Sequence, residues 1–311
     1  MLPAFAKRSI RGVAFPLIRG YVRYFPWRWG KAEVFRRIIE PYFFRRPRQF
    51  TVRTIDGMKV TGNNRDFIQS WIYFFGITEP NLTEWLRHSL RPGDVFIDVG
   101  AHIGTHSLMA SRLVGSSGAV VAIEASPSTF ASLRKNLALN RVTNVRSVNM
   151  AASDRRGRLE FYRGPNQDLG SSTMYREVAK QGSQFEAEVE AAPLIEILSA
   201  TELAQARIIK VDVEGAEEAV LRGLAPGLKA CRRDLEIVIE IIPKYLKALN
   251  LNAEGVLKIL TDSGFMAYGL PGEYRPEPFL SGQRPLRPAR IRQAIVSDTN
   301  VILSRRDADE L

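Results

Sequence analysis

From residue 94 onward the chain alternates short apolar runs with amphipathic stretches, and that rhythm leaves few folds open. Runs at 95–99, 119–124, 145–149, 208–213, 235–241, 265–270 and 301–303 have the length of strands, with a shorter one at 159–162. Near-continuous apolar runs of this length suit strands buried on both faces. Between them lie helical patterns. One runs to Val114 and stops at Gly115, and others cover 215–223 and 253–262. Another opens at Ser126-Pro127 as N-cap and first residue, with Phe130, Leu133 and Leu137 as its core stripe. Strand and helix in alternation predict an α/β fold: a doubly wound, mostly parallel sheet with helices on both faces. Residues 164–190 are rich in Gly, Ser and Gln and fit no element. A loop with Pro271, Pro276, Pro278, Pro285 and Pro288 precedes the last strand.

A chain of 311 residues with 45% hydrophobic content can bury one large α/β core plus appendages. Cys231 is the only cysteine, which excludes an intrachain disulfide and a cysteine zinc site. A reducing, cytoplasmic compartment is the simplest reading. The charge is uneven: residues 1–50 carry twelve Lys/Arg against Glu33 and Glu40, a net +10, and the remainder is +1. This divides the chain into a basic, aromatic-rich helical extension (1–48), a strand and helix preamble (49–93) with Asp56-Gly57 as hairpin turn, and the main domain (94–311).

The extension mixes its cations with aromatics such as Tyr21, Tyr24, Phe25, Trp27, Trp29 and Phe35. No apolar run in it reaches the roughly 18–20 residues that span a bilayer, and none forms a signal-peptide core. It reads as a helical cap on the domain, as a segment lying on an anionic membrane surface at the inner face of a membrane, or as a targeting peptide. No specific nucleic-acid partner is expected, because charge alone carries no sequence preference.

In a doubly wound sheet, ligands bind beyond the carboxyl ends of the strands. The first strand there runs into the segment 98–104, Asp-Val-Gly-Ala-His-Ile-Gly. Gly100 and Gly104 let the backbone pass close to a ligand, and the helix that follows offers free N–H groups to an anion. Glu124 ends the second strand, where an acid binds ribose hydroxyls. Two cofactors fit: NAD, or S-adenosylmethionine with its carboxylate on the helix N-terminus. His102 stands where a dinucleotide fingerprint needs its middle glycine, and Asp98 suits the amino group of a methionine better than a pyrophosphate. Both features favour the methyl donor.

The larger pattern resembles the FkbM family of methyltransferases. It consists of Arg91-Pro-Gly-Asp-Val-Phe-Ile-Asp-Val-Gly-Ala-His-Ile-Gly104, Val121-Ala-Ile-Glu124, Asn149-Met-Ala-Ala-Ser-Asp154 and Ile209-Lys-Val-Asp-Val-Glu-Gly-Ala-Glu217. The resemblance runs from about Asp66 to Ile241. It implies a class I, Rossmann-like methyltransferase fold: a seven-stranded sheet with one antiparallel strand near its end. It also implies O-methylation of a hydroxyl on a sugar, glycolipid or small-molecule scaffold. Carried over by position, Asp98, Gly100 and Gly104 hold the methionine part, Glu124 the ribose, and Met150, Ala151 and Asp154 lie near the adenine; Ala101 and His102, inside the same turn, are expected among the cofactor-binding residues, His102 reaching cofactor or substrate or bonding to local backbone. Glu79 matches an acid at the site edge. After Glu124 the family commonly continues Pro-Asn, whereas this chain has Ala125-Ser126-Pro127.

A hydroxyl is a poor nucleophile, so a base or a metal is expected near the transferred methyl group. Asp212 ends the fourth strand, Glu214 and Glu217 follow it, and Glu240 falls near the end of the fifth. Three readings stay open for this cluster: acids complementing a helix dipole, Asp212 and Glu214 orienting or deprotonating the acceptor, and Asp212 with Glu240 binding Mg²⁺. Lys210 shares the strand face of Asp212 and is expected to form an ion pair within this acidic cluster or to act directly in catalysis. His102 and His106 are four apart, as if on one helical face. Two rival classes remain: a non-catalytic relative that docks on a membrane or partner, and an NAD-dependent Rossmann enzyme. The 164–190 segment, with Gly170-Ser-Ser-Thr173, and the Pro-rich loop are where acceptor recognition is expected.

Overall fold

Gly57 (φ 80°) turns the chain between two antiparallel strands, β1 (Gln49–Arg53) and β2 (Lys59–Asn63), where the sequence pattern places a hairpin. The computed structural model describes residues 17–25, 30–39, 48–166, 168–271 and 285–311. It forms two compact units, Met1–Pro80 with Glu273–Arg284, and Asn81–Gly272 with Pro285–Leu311. In the first unit, Asp66 caps the helix Phe67–Phe75 by accepting the Gln69 N–H at 2.7 Å. Trp71, Phe74 and Phe75 of that helix bury themselves against Val22, Phe35 and Ile39. The described part of the basic extension is therefore packed helix. Most of the Pro-rich loop, and residues 1–16, 26–29 and 40–47 of the extension, lie outside the described residues.

The second unit holds the large sheet. Its strands are β3 (Val95–Val99), β4 (Ala119–Ile123), β5 (Val145–Val148), β9 (Ala206–Val211), β10 (Glu236–Ile241), β11 (Met266–Pro271), β12 (Ala289–Arg290) and β13 (Thr299–Ser304). Among the described residues the order is β12-β11-β13-β10-β9-β3-β4-β5. Strands β5, β4, β3, β9 and β10 run parallel, and β13 inserts antiparallel between β10 and β11. This is the seven-stranded order of the class I methyltransferase fold, with one addition: the two-residue β12 pairs with β11 and makes an eighth strand.

Strand alternation divides the apolar residues between two layers. Ile97, Val121, Ile209, Ile239 and Val301 face the helices Glu217–Leu224 and Ala253–Thr261 through Val220, Leu221, Leu224, Val256 and Leu260. Phe96, Val120, Ile208, Val238 and Ile302 face the other way, onto Leu82, Trp85, Leu86, Met109 and Ala110 of the helices Pro80–Ser89 and Thr105–Val114. Each such side chain contributes roughly 1.5–3 kcal/mol on leaving water.

A smaller sheet, β6-β8-β7, stands beside the large one, from β6 (Ala151–Ser153), β7 (Gly157–Arg163) and β8 (Gln184–Pro193). The pattern reading leaves 164–190 without an element. In fact β8 begins inside it, because Val189 and Ala191 bury against Phe161 and Ala151 while Glu188 and Glu190 stay outside.

Candidate functional site

Because β3, β4, β9 and β10 are parallel, the residues at their carboxyl ends collect along one edge of the sheet. Asp98 is 1% exposed and accepts the Ser107 hydroxyl at 2.5 Å. Its other oxygen, Oδ1, has no hydrogen-bond donor and lies 3.8 Å from the Lys210 ammonium.

The chain then turns sharply. Gly100 (φ 81°) and Gly104 (φ 89°) occupy the left-handed region, and so does His102 (φ 50°). A Cβ on Gly100 would stand 1.8 Å from the Asp212 carbonyl oxygen, and one on Gly104 would stand 2.5 Å from Leu133. These glycines therefore let β9 and the helix Pro127–Asn140 close on the turn. Ala101 is buried and donates its N–H to the Ile123 carbonyl. The helix that follows starts at Thr105 with no side-chain cap, so its first turn is open to an anion.

Glu124 binds this turn to its neighbour. It accepts the His102 N–H at 2.8 Å and the Ser126 N–H at 2.9 Å. Burial pushes its carboxyl up to about 7, against the pull of those two bonds. Asn149 fixes the same corner by donating to the Glu124 and Ala125 carbonyls. Ala151 is buried at the start of β6, with half-buried Met150 before it. Asp154 is exposed beyond that strand, takes the Ser153 hydroxyl at 3.3 Å and bears electrostatically on Tyr175.

Across from the turn, Asp212 continues past β9 and donates its N–H to the Val99 carbonyl at 3.0 Å. Lys210 is 3% exposed, with its ammonium 2.8 Å from Asp212 Oδ2. Burial alone would raise the Asp212 carboxyl, but that ammonium and its hydrogen bond hold it below the ordinary value. Asp212, Glu214 and Glu240 bring one carboxylate oxygen each within 4.8 Å of one another. Burial, with the Asp212 charge next, pushes Glu214 well above the usual carboxylate range.

Glu217 serves the backbone. One of its oxygens accepts the Val213 and Gly215 N–H groups at 3.3 and 3.1 Å, and burial lifts it to about 7.

Neighbours from distant segments surround Glu214. The Tyr245 hydroxyl donates to it, and the Thr173 hydroxyl donates to its backbone carbonyl at 2.8 Å. Asp168, ion-paired with Lys180 at 2.6 Å, bears on Glu214 electrostatically. Thr173 sits in the Gly-Ser-Ser-Thr stretch expected to serve recognition, whereas nothing in sequence marks Tyr245.

The expected shared helical face of His102 and His106 is corrected: the helix begins at Thr105, so only His106 is on it. His102 belongs to the turn. Its Nε2 is shut from solvent without a hydrogen-bond partner, and burial takes the ring down to about 4 despite the opposing Asp212 charge. It is neutral at physiological pH. Glu79 belongs to the first unit, in left-handed backbone (φ 42°).

Residues 98–265 match the family model described as the methyltransferase FkbM domain. Over 152 residues the chain is 33% identical to Methyltransferase 1 of Beauveria bassiana, covering 43% of this chain and 59% of that protein. It is 32% identical over 171 residues to 31-O-demethyl-FK506 methyltransferase FkbM of Streptomyces tacrolimicus, covering 45% and 64%. It is 27% identical over 196 residues to hexuronic acid methyltransferase AglP of Haloferax volcanii, covering 60% and 75%. The chain thus spans about three fifths of the length of the first two of these relatives.

Proposed function

The chain belongs to the FkbM methyltransferase family, and from that premise we propose that it methylates a hydroxyl of a sugar, glycolipid or other small molecule, with S-adenosylmethionine as donor. One observation carries the cofactor part of this reading. Asp98 and Glu124, at the ends of adjacent parallel strands, flank a glycine turn and an uncapped helix N-terminus. Asp98 Oδ1 lacks a hydrogen-bond donor, which an amino group would supply. Each Glu124 oxygen holds one N–H and keeps a lone pair for a ribose hydroxyl. When bound, the cofactor supplies a methyl group already activated for in-line displacement.

The remaining work belongs to the protein. An acceptor hydroxyl must be aligned and its proton removed. Asp212, kept ionised beside Lys210, accepts the hydroxyl's hydrogen bond and orients it. Glu214, whose proton affinity burial raises, takes up the proton, with Tyr245 steadying its carboxylate. The Asp212, Glu214 and Glu240 trio has the ligand types that Mg²⁺ takes. Lys210 already supplies a positive charge there, and the proposed transfer needs no metal. Two relatives, a 31-O-demethyl-FK506 methyltransferase and a hexuronic acid methyltransferase, support an oxygen acceptor on a natural-product or sugar scaffold.

Calorimetric titration with S-adenosylhomocysteine and with NAD tests the cofactor. Binding of the first alone is expected, and binding of NAD alone overturns the reading. Glu124→Gln should weaken that binding about tenfold, the cost of one charge-assisted hydrogen bond. For the chemistry, Asp212→Asn and Glu214→Gln should keep cofactor affinity while turnover falls roughly 10²–10⁴-fold. Turnover should rise with pH as Glu214 loses its proton, and Glu214→Gln should abolish that limb. Comparative mass spectrometry of glycans and lipids, with and without the protein, identifies the acceptor as the species that gains a methyl group.

A further inference from the structure

The outer end of the small sheet carries two aromatic rings side by side. Tyr162 of β7 pairs with Phe185 of β8 on one side and with Thr173 on the other. The Tyr162 N–H donates to the Thr173 carbonyl at 2.8 Å, and the Thr173 N–H returns to the Tyr162 carbonyl at 3.0 Å. Residues directly opposite in a ladder share a face of the sheet, so Thr173, Tyr162 and Phe185 form one row. Phe161, one residue back, buries against Ala151 and Val189 on the other face. The rings of Tyr162 and Phe185 meet edge to face, 6.3 Å apart at 76°. Phe185 is 56% exposed and Tyr162 is half-buried.

Both ends of this row are tied to the site. At the inner end, Thr173 is fully buried and its hydroxyl donates to the Glu214 carbonyl at 2.8 Å. At the outer end, Glu186 follows Phe185 and accepts the Ser126 hydroxyl at 2.8 Å and the Ser128 N–H at 3.0 Å. The Ser126 N–H in turn donates to Glu124, at the cofactor corner. Two strand steps of roughly 4.8 Å put Phe185 and Thr173 on the order of 10 Å apart along the row. Charged groups edge the rings: the Tyr162 hydroxyl donates to Glu160, and exposed Arg176 and Glu177 bear electrostatically on Tyr162.

We propose that Tyr162 and Phe185 form the acceptor subsite, and that they take a carbohydrate ring, stacked by its C–H face on Phe185 with its reacting hydroxyl directed along the row toward Glu214. This rests on the methyl-transfer reading and names the acceptor class within it. A sugar meets both halves of the surface. Its C–H faces cover exposed aromatic carbon, and its hydroxyls bond to the carboxylates and guanidinium at the rim. An apolar scaffold would cover the rings but strip water from those charges without replacing its hydrogen bonds. The cofactor's adenine is a poorer occupant, because Ala151, expected beside it, packs on the face away from both rings.

Labelling with S-adenosylmethionine carrying a tritiated methyl group tests it, with the glycan and lipid extract of cells that lack the protein as acceptor. The full chain is expected to place the label on a sugar, recovered as an O-methyl monosaccharide after acid hydrolysis. Phe185→Ala should raise the extract concentration that half-saturates labelling roughly tenfold, the worth of one stacked ring, with a smaller effect on the plateau rate. Phe185→Trp and Tyr162→Phe keep the rings and should stay within about threefold of wild type. The Phe185 side chain is exposed, so Phe185→Ala should keep the melting temperature and the affinity for S-adenosylhomocysteine. Label on a non-carbohydrate product, or unchanged half-saturation in Phe185→Ala, overturns the proposal. So does a parallel loss of S-adenosylhomocysteine affinity, which would assign Phe185 to the cofactor. Absence of labelling by the wild-type chain removes the methyl-transfer reading and the subsite with it.

Discussion

Glu124 and Glu217 are buried carboxyls that the fold makes costly to ionise. Burial lifts both to about 7 from an ordinary 4.5. A carboxyl raised by folding contributes stability that is full below its unfolded pKa and is lost as pH rises through the folded one. His102 works the other way: lowered from 6.5 to about 4, it contributes above 6.5 and loses that contribution as pH falls. With Glu214 also raised by burial, three carboxyls outweigh one imidazole, so the cofactor-free chain should lose stability between about pH 5 and 7.5, by roughly 1–3 kcal/mol for each of Glu124 and Glu217. Thermal unfolding across that range checks this. Glu217→Gln keeps an acceptor for the Val213 and Gly215 N–H groups and should flatten the slope; an unchanged slope removes Glu217 as its source. At this scale the sequence displayed the acids but not their division of labour. Glu214 and Glu217 look alike in the run from Asp212 to Glu217, yet one holds backbone N–H groups while the other faces Tyr245 and Thr173. Those partners come from distant segments, which a local pattern does not bring together.

The small sheet contributes a device of its own. Phe161 pairs with Ala187 but Tyr162 pairs with Phe185, so β8 carries an extra residue there, Glu186, outside the ladder. The bulge turns that carboxylate onto the start of the helix Pro127–Asn140, where it accepts the Ser126 hydroxyl at 2.8 Å and the Ser128 N–H at 3.0 Å. Negative charge at a helix N-terminus is favourable by about 0.3–1 kcal/mol, and Ser126 is also the N-cap and a donor to Glu124. Glu186→Ala should therefore lower the melting temperature by a few degrees and weaken S-adenosylhomocysteine binding about threefold, with Glu186→Gln in between. Equal affinity in all three proteins would confine Glu186 to helix stability. Most elements were legible because buried parallel strands read as apolar runs: β3, β4, β10 and β13 fall within a residue or two of their expected bounds. Strand β8 was not, since one side of it is glutamate and its apolar side is mainly alanine. The N-cap at Ser126 was legible despite the departure from the family's Pro-Asn, because a cap is a local property.

At the scale of the whole molecule, the sheet, the glycine turn and the acidic trio all lie in the unit Asn81–Gly272 with Pro285–Leu311. That unit buries both faces of its sheet with its own residues, including Leu82, Trp85 and Leu86 against Phe96 and Tyr268. The first unit has a separate core around Trp71 and Phe35. The charge divides similarly, with +10 in residues 1–50 and +1 in the rest. Cofactor binding should therefore survive when the chain is cut to its second unit. A protein of residues 81–311 lacks the basic N-terminal extension and also Glu79, the acid that the family resemblance puts at the site edge. With Asp98, the turn and Glu124 retained, it should bind S-adenosylhomocysteine within about threefold of the full chain, since the charge-assisted contacts that carry affinity are kept. Calorimetry on the fragment and on the full chain measures this. Should the fragment fold, by circular dichroism and a cooperative melt, yet bind the cofactor tenfold more weakly, the site draws on the first unit. Glu79→Gln in the full chain would then show whether that acid is the reason: a matching tenfold loss assigns it to the cofactor, and none assigns the loss to another part of Met1–Pro80.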